Sequence, residues 1–192
     1  MVASARTEGA TRDGSTIDPA EVARFEGIAK TWWDPKGPMA VLHKFNPVRL
    51  AFIRDLACAR FGRDPKTIRS LEGLTLVDIG CGGGVLSEPL ARLGAQVTGL
   101  DPAPTNVAVA RSHTEAAGLS VDYRQETIEA LVAEGARYDI VLAMEVVEHV
   151  ANVEAFVGAC CAAVKPGGML VMATLNRTLK SYALAIVGAE YV

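Results

Sequence analysis

Val77–Gly84 reads VDIGCGGG, and four of its eight residues are glycine: Gly80, Gly82, Gly83 and Gly84. They follow directly on LTLVDI, a run apolar enough to be buried. A short apolar run bounded by turn residues reads as a buried strand. After the loop GCGGG comes VLSEPLARL, which reads as a helix. Glycine in such a turn permits positive φ and leaves the backbone bare. Free N–H groups at a helix start favour an anion or a carboxylate. The side chains are therefore missing for room, and Gly80 and Gly82 are expected to lie against a ligand.

Downstream the same alternation repeats. Strand-like runs occur at Leu74–Ile79, Gln96–Leu100, Val121–Arg124, Tyr138–Met144 and Met169–Thr174. Helical segments lie between them at 85–93, 105–117, 127–134 and 152–164, with Gly94 and Gly118 as stops after two of them. Strand–helix alternation predicts an α/β fold, a parallel sheet with helices on both faces and right-handed crossovers. Ligands of such sheets bind at the carboxyl ends of the strands.

Upstream, Asp18-Pro19-Ala20-Glu21 predicts a helix start: a cap, a proline at the first helical position and a glutamate to complete a capping box. Val22, Phe25, Ile28 and Trp32 share one helical face, and WWDPKGP then breaks the helix. Asn46-Pro47 predicts a second helix start, and 62–73 reads as a linker. Residues 1–18 are polar and small and are expected to form a disordered tail, with one domain over 19–192.

Composition narrows the function. The 192 residues are half apolar, carry a net charge of −3 and have a pI near 5.6, so there is no basic surplus for gripping nucleic acid. Cys58, Cys81, Cys160 and Cys161 show no metal-ligand spacing and read as reduced thiols of a cytoplasmic protein.

Asp101 ends the second strand 21 residues beyond Gly80. A carboxylate at that place takes ribose hydroxyls in such folds. A cap for the helix after Pro104 is the other reading. The pairing alone fits a dinucleotide or S-adenosylmethionine. The loop reads GxGxG rather than GxGxxG, and Pro166-Gly167-Gly168 suits a type II turn before the fifth strand. Together these features resemble the class I S-adenosylmethionine-dependent methyltransferases, whose sheet is Rossmann-like, over about residues 74–176.

Longer stretches narrow the resemblance. FEGIAKTWWDPKGPMAVLHKFNPVRLAFI, VDYRQETIEAL, AMEVVEHV and ATLNRTLKSYALAIVGAEYV resemble the O-methyltransferases of ubiquinone biosynthesis. That family methylates polyprenylated phenols and catechols. The resemblance implies that Arg49 holds the methionine carboxylate of S-adenosylmethionine and that Gly80, Asp101 and Met144 contact the cofactor. Arg49 also poses a puzzle of its own: in the first turn after an Asn46 cap, a cation would oppose the helix dipole unless an anion sat beside it. Glu145, Glu148 and His149, if helical, place two carboxylates and an imidazole on one face. The resemblance implies Mg²⁺ there, with Glu145 and His149 preparing the attacking oxygen. His149 could act as a metal ligand or as a general base. His43 lies near the expected site mouth, and His113 reads as surface. Gln125-Glu126-Thr127 follows the third strand, where adenine-edge contacts are expected.

Residues 180–192, KSYALAIVGAEYV, are too short to span a bilayer and read as a membrane-surface element. A peripheral place at the inner membrane, beside other ubiquinone-pathway enzymes, follows from the resemblance. Five strands are countable where the class I fold has seven, so the domain is expected to be incomplete at its C-terminus, with the fifth strand an exposed edge. Three other functions compete: a quinone C-methyltransferase, a non-catalytic cofactor-binding fragment and a nicotinamide-dependent oxidoreductase. The last is opposed by the loop spacing and by the lack of a Tyr-x-x-x-Lys pattern.

Overall fold

The structure, a computed structural model, describes residues 16–174. Five strands form one sheet: β1 Thr75–Ile79, β2 Gln96–Leu100, β3 Asp122–Arg124, β4 Tyr138–Met144 and β5 Val164–Ala173. Their order is β3-β2-β1-β4-β5, and every neighbouring pair is parallel. The helices are α1 Pro19–Ile28, α2 Ala40–Phe61, α3 Ser87–Arg92, α4 Pro104–Ala116, α5 Ile128–Ala133 and α6 Val153–Ala162. The expected Rossmann-like alternation is present, with strand ends within a few residues of those read from the pattern. β5 differs: it includes the Pro-Gly-Gly stretch, where Gly167 takes φ +80° and the pairing with β4 slips between Tyr138 and Ile140.

Both faces of the sheet are buried. Leu76, Ile140 and Leu142 pack with Ile53 and Ala57 of α2 and Leu90 of α3. Val77, Val141 and Ala143 face the other way, onto Ile128 and Leu131 of α5 and Phe156 and Cys160 of α6. Each such buried aliphatic contributes about 1.5–3 kcal/mol by leaving water. A three-residue cluster clamps the amino-terminal end of the sheet. Asp139 Oδ2 accepts from Thr75 N at 2.8 Å, Thr75 Oγ1 at 2.7 Å and Lys165 Nζ at 3.0 Å, which ties β1, β4 and β5 together.

The chain passes from β1 through β2 to β3 on one side, then crosses to β4 on the other. That reversal opens a crevice at the carboxyl ends of β1 and β4. Ile79 is level with both Leu100 and Ala143. Gly80, Asp101 and Met144 therefore emerge side by side at one edge of the sheet.

The N-terminal region corrects three expectations. Asp18 does cap α1, accepting from Ala20 N at 2.9 Å, but Glu21 turns away from the helix start. The second helix starts at Ala40 and not at Asn46; Pro47 lies inside it, and Asn46 Nδ2 donates to Val85 O at 2.8 Å. Arg49 is thus more than two turns in, and the dipole argument does not apply to it. Residues 16–18 of the expected tail are packed: Thr16 is buried and donates to Glu129, and Ile17 bridges to Val150. The rest of that tail, and residues 180–192, lie outside the described residues.

Candidate active site

A cavity of about 560 Å³ opens at the carboxyl end of the sheet. Its walls include Arg49, Gly80, Asp101 and Met144, together with Glu145, Glu148 and His149. Seven of the eight expected site residues thus share one space, drawn from α2 and the ends of three different strands. Glu126 and Thr127, after β3, line it too.

Gly82 has a different job. Its N–H donates to Asp101 Oδ2 at 2.9 Å, but its open side is filled by this chain's own Trp32. A Cβ on Gly82 would meet the Trp32 ring at 2.5 Å, and one on Gly83 would meet the base of the same side chain. Gly84 makes room for the Tyr123 hydroxyl. Gly80 alone of the four lines the cavity, with φ +68°, and a Cβ there would meet Val146 at 2.6 Å.

The Trp32-Trp33 pair straps the loop down. Trp32 Nε1 donates to Asn106 Oδ1 at 2.8 Å, and Asn106 Nδ2 donates to Asp101 Oδ1 at 3.1 Å. Trp33 Nε1 donates to Gly83 O at 2.8 Å, and its ring lies 3.5 Å from that of His113, nearly parallel to it. His113 also pairs with buried Glu88, so it is a packed residue and not the surface histidine expected. His43 Nε2 is tied to Trp32 O at 2.7 Å.

Asp101 is not the helix cap of the competing reading, because α4 is preceded by Ala103 and has no side-chain cap. Its carboxylate is buried and held by Gly82 N, Ala103 N and Asn106 Nδ2. Burial pushes its pKa up, and those three donors pull it back. Asp78, one layer deeper, is pushed up to about 6 by burial against a 2.6 Å bond from Ser87 Oγ.

The Glu145–His149 segment departs from the helix expected of it. Glu145 is in the left-handed region, φ +59°, and only Val147–His149 form a single 3₁₀ turn. Glu145 and Glu148 stay within reach of one another, while His149 turns away toward α1. Glu145 Oε1 takes Arg49 Nη2 at 3.1 Å, Glu148 Oε2 accepts from Thr174 Oγ1 at 2.7 Å, and His149 Nδ1 meets Glu21 Oε2 at 2.7 Å. Among the described residues no three His, Cys, Asp or Glu side chains stand together to hold a metal ion. As arranged, these residues do not fit Mg²⁺. Burial raises the Glu145 pKa, Arg49 opposes that rise, and the Glu148 carboxylate adds to it. Glu145 Oε2 is buried without a hydrogen-bond partner.

Glu21 was missed as a site residue because Asp18-Pro19-Ala20-Glu21 also reads as a helix start. No local signal links it to His149, 128 positions later. The edge of the Phe25 ring packs at 84° on His149, which gives the α1 face a purpose beyond the core.

All four cysteines are free, three of them buried. Among the described residues no helix is long and apolar enough to cross a membrane.

Residues 77–172 match the family model described as "Methyltransferase domain". The chain is 69% identical over 179 residues to a "Ubiquinone biosynthesis O-methyltransferase" of Methylobacterium sp. (strain 4-46), covering 93% of this chain and 72% of that one. It is 59% identical to the protein of the same description from Bradyrhizobium sp. (strain ORS 278), covering 93% and 70%. In fold it is similar to magnesium protoporphyrin IX methyltransferase from Synechocystis PCC 6803 with bound SAM, at 21% identity and TM-score 0.63, covering 95% of this chain and 88% of that one. Relatives at 59–69% identity, each covered to 70% or more, and the matching methyltransferase domain show that the chain belongs to the ubiquinone biosynthesis O-methyltransferase family.

Proposed function

We propose that the cavity carries out O-methylation of a polyprenylated phenol or catechol in ubiquinone biosynthesis, with S-adenosylmethionine as donor. The observation that carries this reading is the level emergence of Gly80, Asp101 and Met144 into one cavity with His149 on its wall. Gly80 offers backbone to the cofactor, and Met144 offers a polarizable surface to its adenine. Asp101, already fixed by three donors, presents its remaining acceptor capacity to the ribose hydroxyls. Arg49 spends one N–H on Glu145, and a guanidinium has five, so donors remain for the cofactor carboxylate.

S-adenosylmethionine, when bound, supplies an electrophilic methyl carbon on a sulfonium. The acceptor oxygen must lose its proton as it attacks, because a phenol of pKa about 10 is mostly protonated at neutral pH. In this reading His149, on the cavity wall, takes that proton. Its Nδ1 is held by Glu21, which leaves Nε2 as the basic nitrogen. Glu21 is the positioning residue. The oxygen gains the methyl group, the C–S pair returns to sulfur, and the proton passes to His149 Nε2. No large new charge appears, so alignment of donor and acceptor carries much of the rate.

The test is single-turnover methylation of a catechol. His149→Ala should lower the rate by about 10²–10⁴-fold, the usual worth of a general base, with S-adenosylhomocysteine affinity unchanged. A wild-type rate in that variant would remove His149 from the mechanism. A peripheral place at the inner membrane, reached through residues 180–192 and shared with other pathway enzymes, belongs to the same reading. Its support is the lipid tail that ubiquinone precursors carry, and vesicle flotation checks it.

A further inference from the structure

A surface helix that buries one face should be polar on the other. α2 is not. Ile53, Ala57 and Cys58 face the core, while Val41, Phe45, Val48, Phe52 and Leu56 are exposed. Their spacing of three and four residues puts all five within an arc of about 80°. Phe45 is 58% exposed, Val48 68% and Phe52 56%. Contiguous exposed apolar surface of this kind marks a binding site.

The stripe has a beginning. Val41 and Phe45 also line the cavity, as does Arg49 beside them on the same helix. From Val41 to Leu56 the stripe runs about 22 Å along the helix at its rise per residue. It is a continuous apolar path leading out of the cavity. The cavity's 560 Å³ lies in the usual range of 300–1,000 Å³ for a small-molecule site. Cofactor and aromatic head occupy it together, and the tail of the acceptor has to leave.

We propose that this face of α2 is the track for the isoprenoid tail of the acceptor, with Val48 and Phe52 selecting prenylated over unprenylated substrate. This rests on the O-methylation reading above. An isoprenoid needs apolar contact and no hydrogen bonds, which is what the stripe offers. The head is fixed in the cavity, so the tail binds as an intramolecular extension of it.

The test uses protein loaded with S-adenosylhomocysteine and follows tryptophan fluorescence, because Trp32 lines the cavity. Catechol and geranyl-catechol are titrated in turn, below the micelle concentration of any detergent. Wild type should bind geranyl-catechol the more tightly. The double variant V48S/F52S should lose about tenfold or more for geranyl-catechol and less than twofold for catechol. Phe52→Leu, which keeps an apolar surface, should retain the discrimination. An unchanged ratio of the two affinities in V48S/F52S overturns the track. If that unchanged ratio comes with lost binding to phosphatidylglycerol vesicles, the face is a membrane contact. If it comes with a dimer turned monomer in light scattering, the face meets a second copy. If neither acceptor binds wild type, the O-methylation reading itself fails and the track falls with it.

Discussion

Asp78 is the residue whose chemistry reaches furthest beyond its contacts. Its carboxyl is buried and pushed from 3.8 to about 6 in the folded protein. An acid with a raised folded pKa binds its proton more tightly folded than unfolded. Its contribution is therefore most favourable below pH 3.8 and declines as pH rises through the window to about 6. Asp78→Asn should remove that decline and stabilise the protein at pH 7 by up to about 3 kcal/mol. Urea unfolding at pH 4 and pH 7 measures it, and identical pH slopes in both proteins would contradict it. Glu21 makes the complementary case. Glu21→Gln should lower the methylation kcat severalfold with cofactor affinity intact, since its contact is to His149 and not to the loop. A variant that loses cofactor affinity instead would show Glu21 to be a packing residue.

The glycine loop and the Trp32-Trp33 strap form one device, although half the chain's strands and helices could be read without noticing it. Gly83 needs no special φ; what a side chain there would meet is Trp32. Gly83→Ala should destabilise by about 1–3 kcal/mol through overpacking. Combined with Trp32→Ala, the two losses should be clearly less than additive in thermal or urea unfolding. Strict additivity would mean that the contact contributes nothing. At α6, Asn152 Oδ1 accepts from Ala155 N at 3.1 Å, so Asn152→Ala should cost about 1 kcal/mol without touching cofactor affinity. These cases show what was legible. Strands and caps such as Asp18 are local and follow from a few adjacent residues, whereas the Pro166-Gly167-Gly168 stretch, expected as a turn, is part of β5. The α2 start was misread because Asn-Pro resembles a cap wherever it stands, and only the contact from Asn46 to Val85 shows that the amide is used elsewhere. The Trp32 packing was illegible because it joins positions 50 residues apart.

The whole molecule is a machine for bringing distant strand ends level. The register of β1 against β2 and β4 sets Gly80, Asp101 and Met144 at one height, and this follows from the order β3-β2-β1-β4-β5, of which strand–helix alternation implied the parallel sheet but not the sequence of strands. The candidate site was legible to the same extent: residues that hang on strand ends come together, and seven of the eight named residues share the cavity. The metal triad was not, because its geometry depended on a helix that Glu145, at φ +59°, does not join. Gly82 was placed correctly in the chain but assigned the wrong neighbour. The account stands on a sheet edge built for a methionine-derived nucleoside, and isothermal titration calorimetry of S-adenosylhomocysteine and NAD against the protein and its Asp101→Ala variant tests that. We expect one-to-one binding of S-adenosylhomocysteine, weakened about 100-fold or more in the variant through loss of charge-assisted hydrogen bonds, and no heat with NAD. Binding of NAD in place of S-adenosylhomocysteine, or S-adenosylhomocysteine affinity indifferent to Asp101, would contradict it.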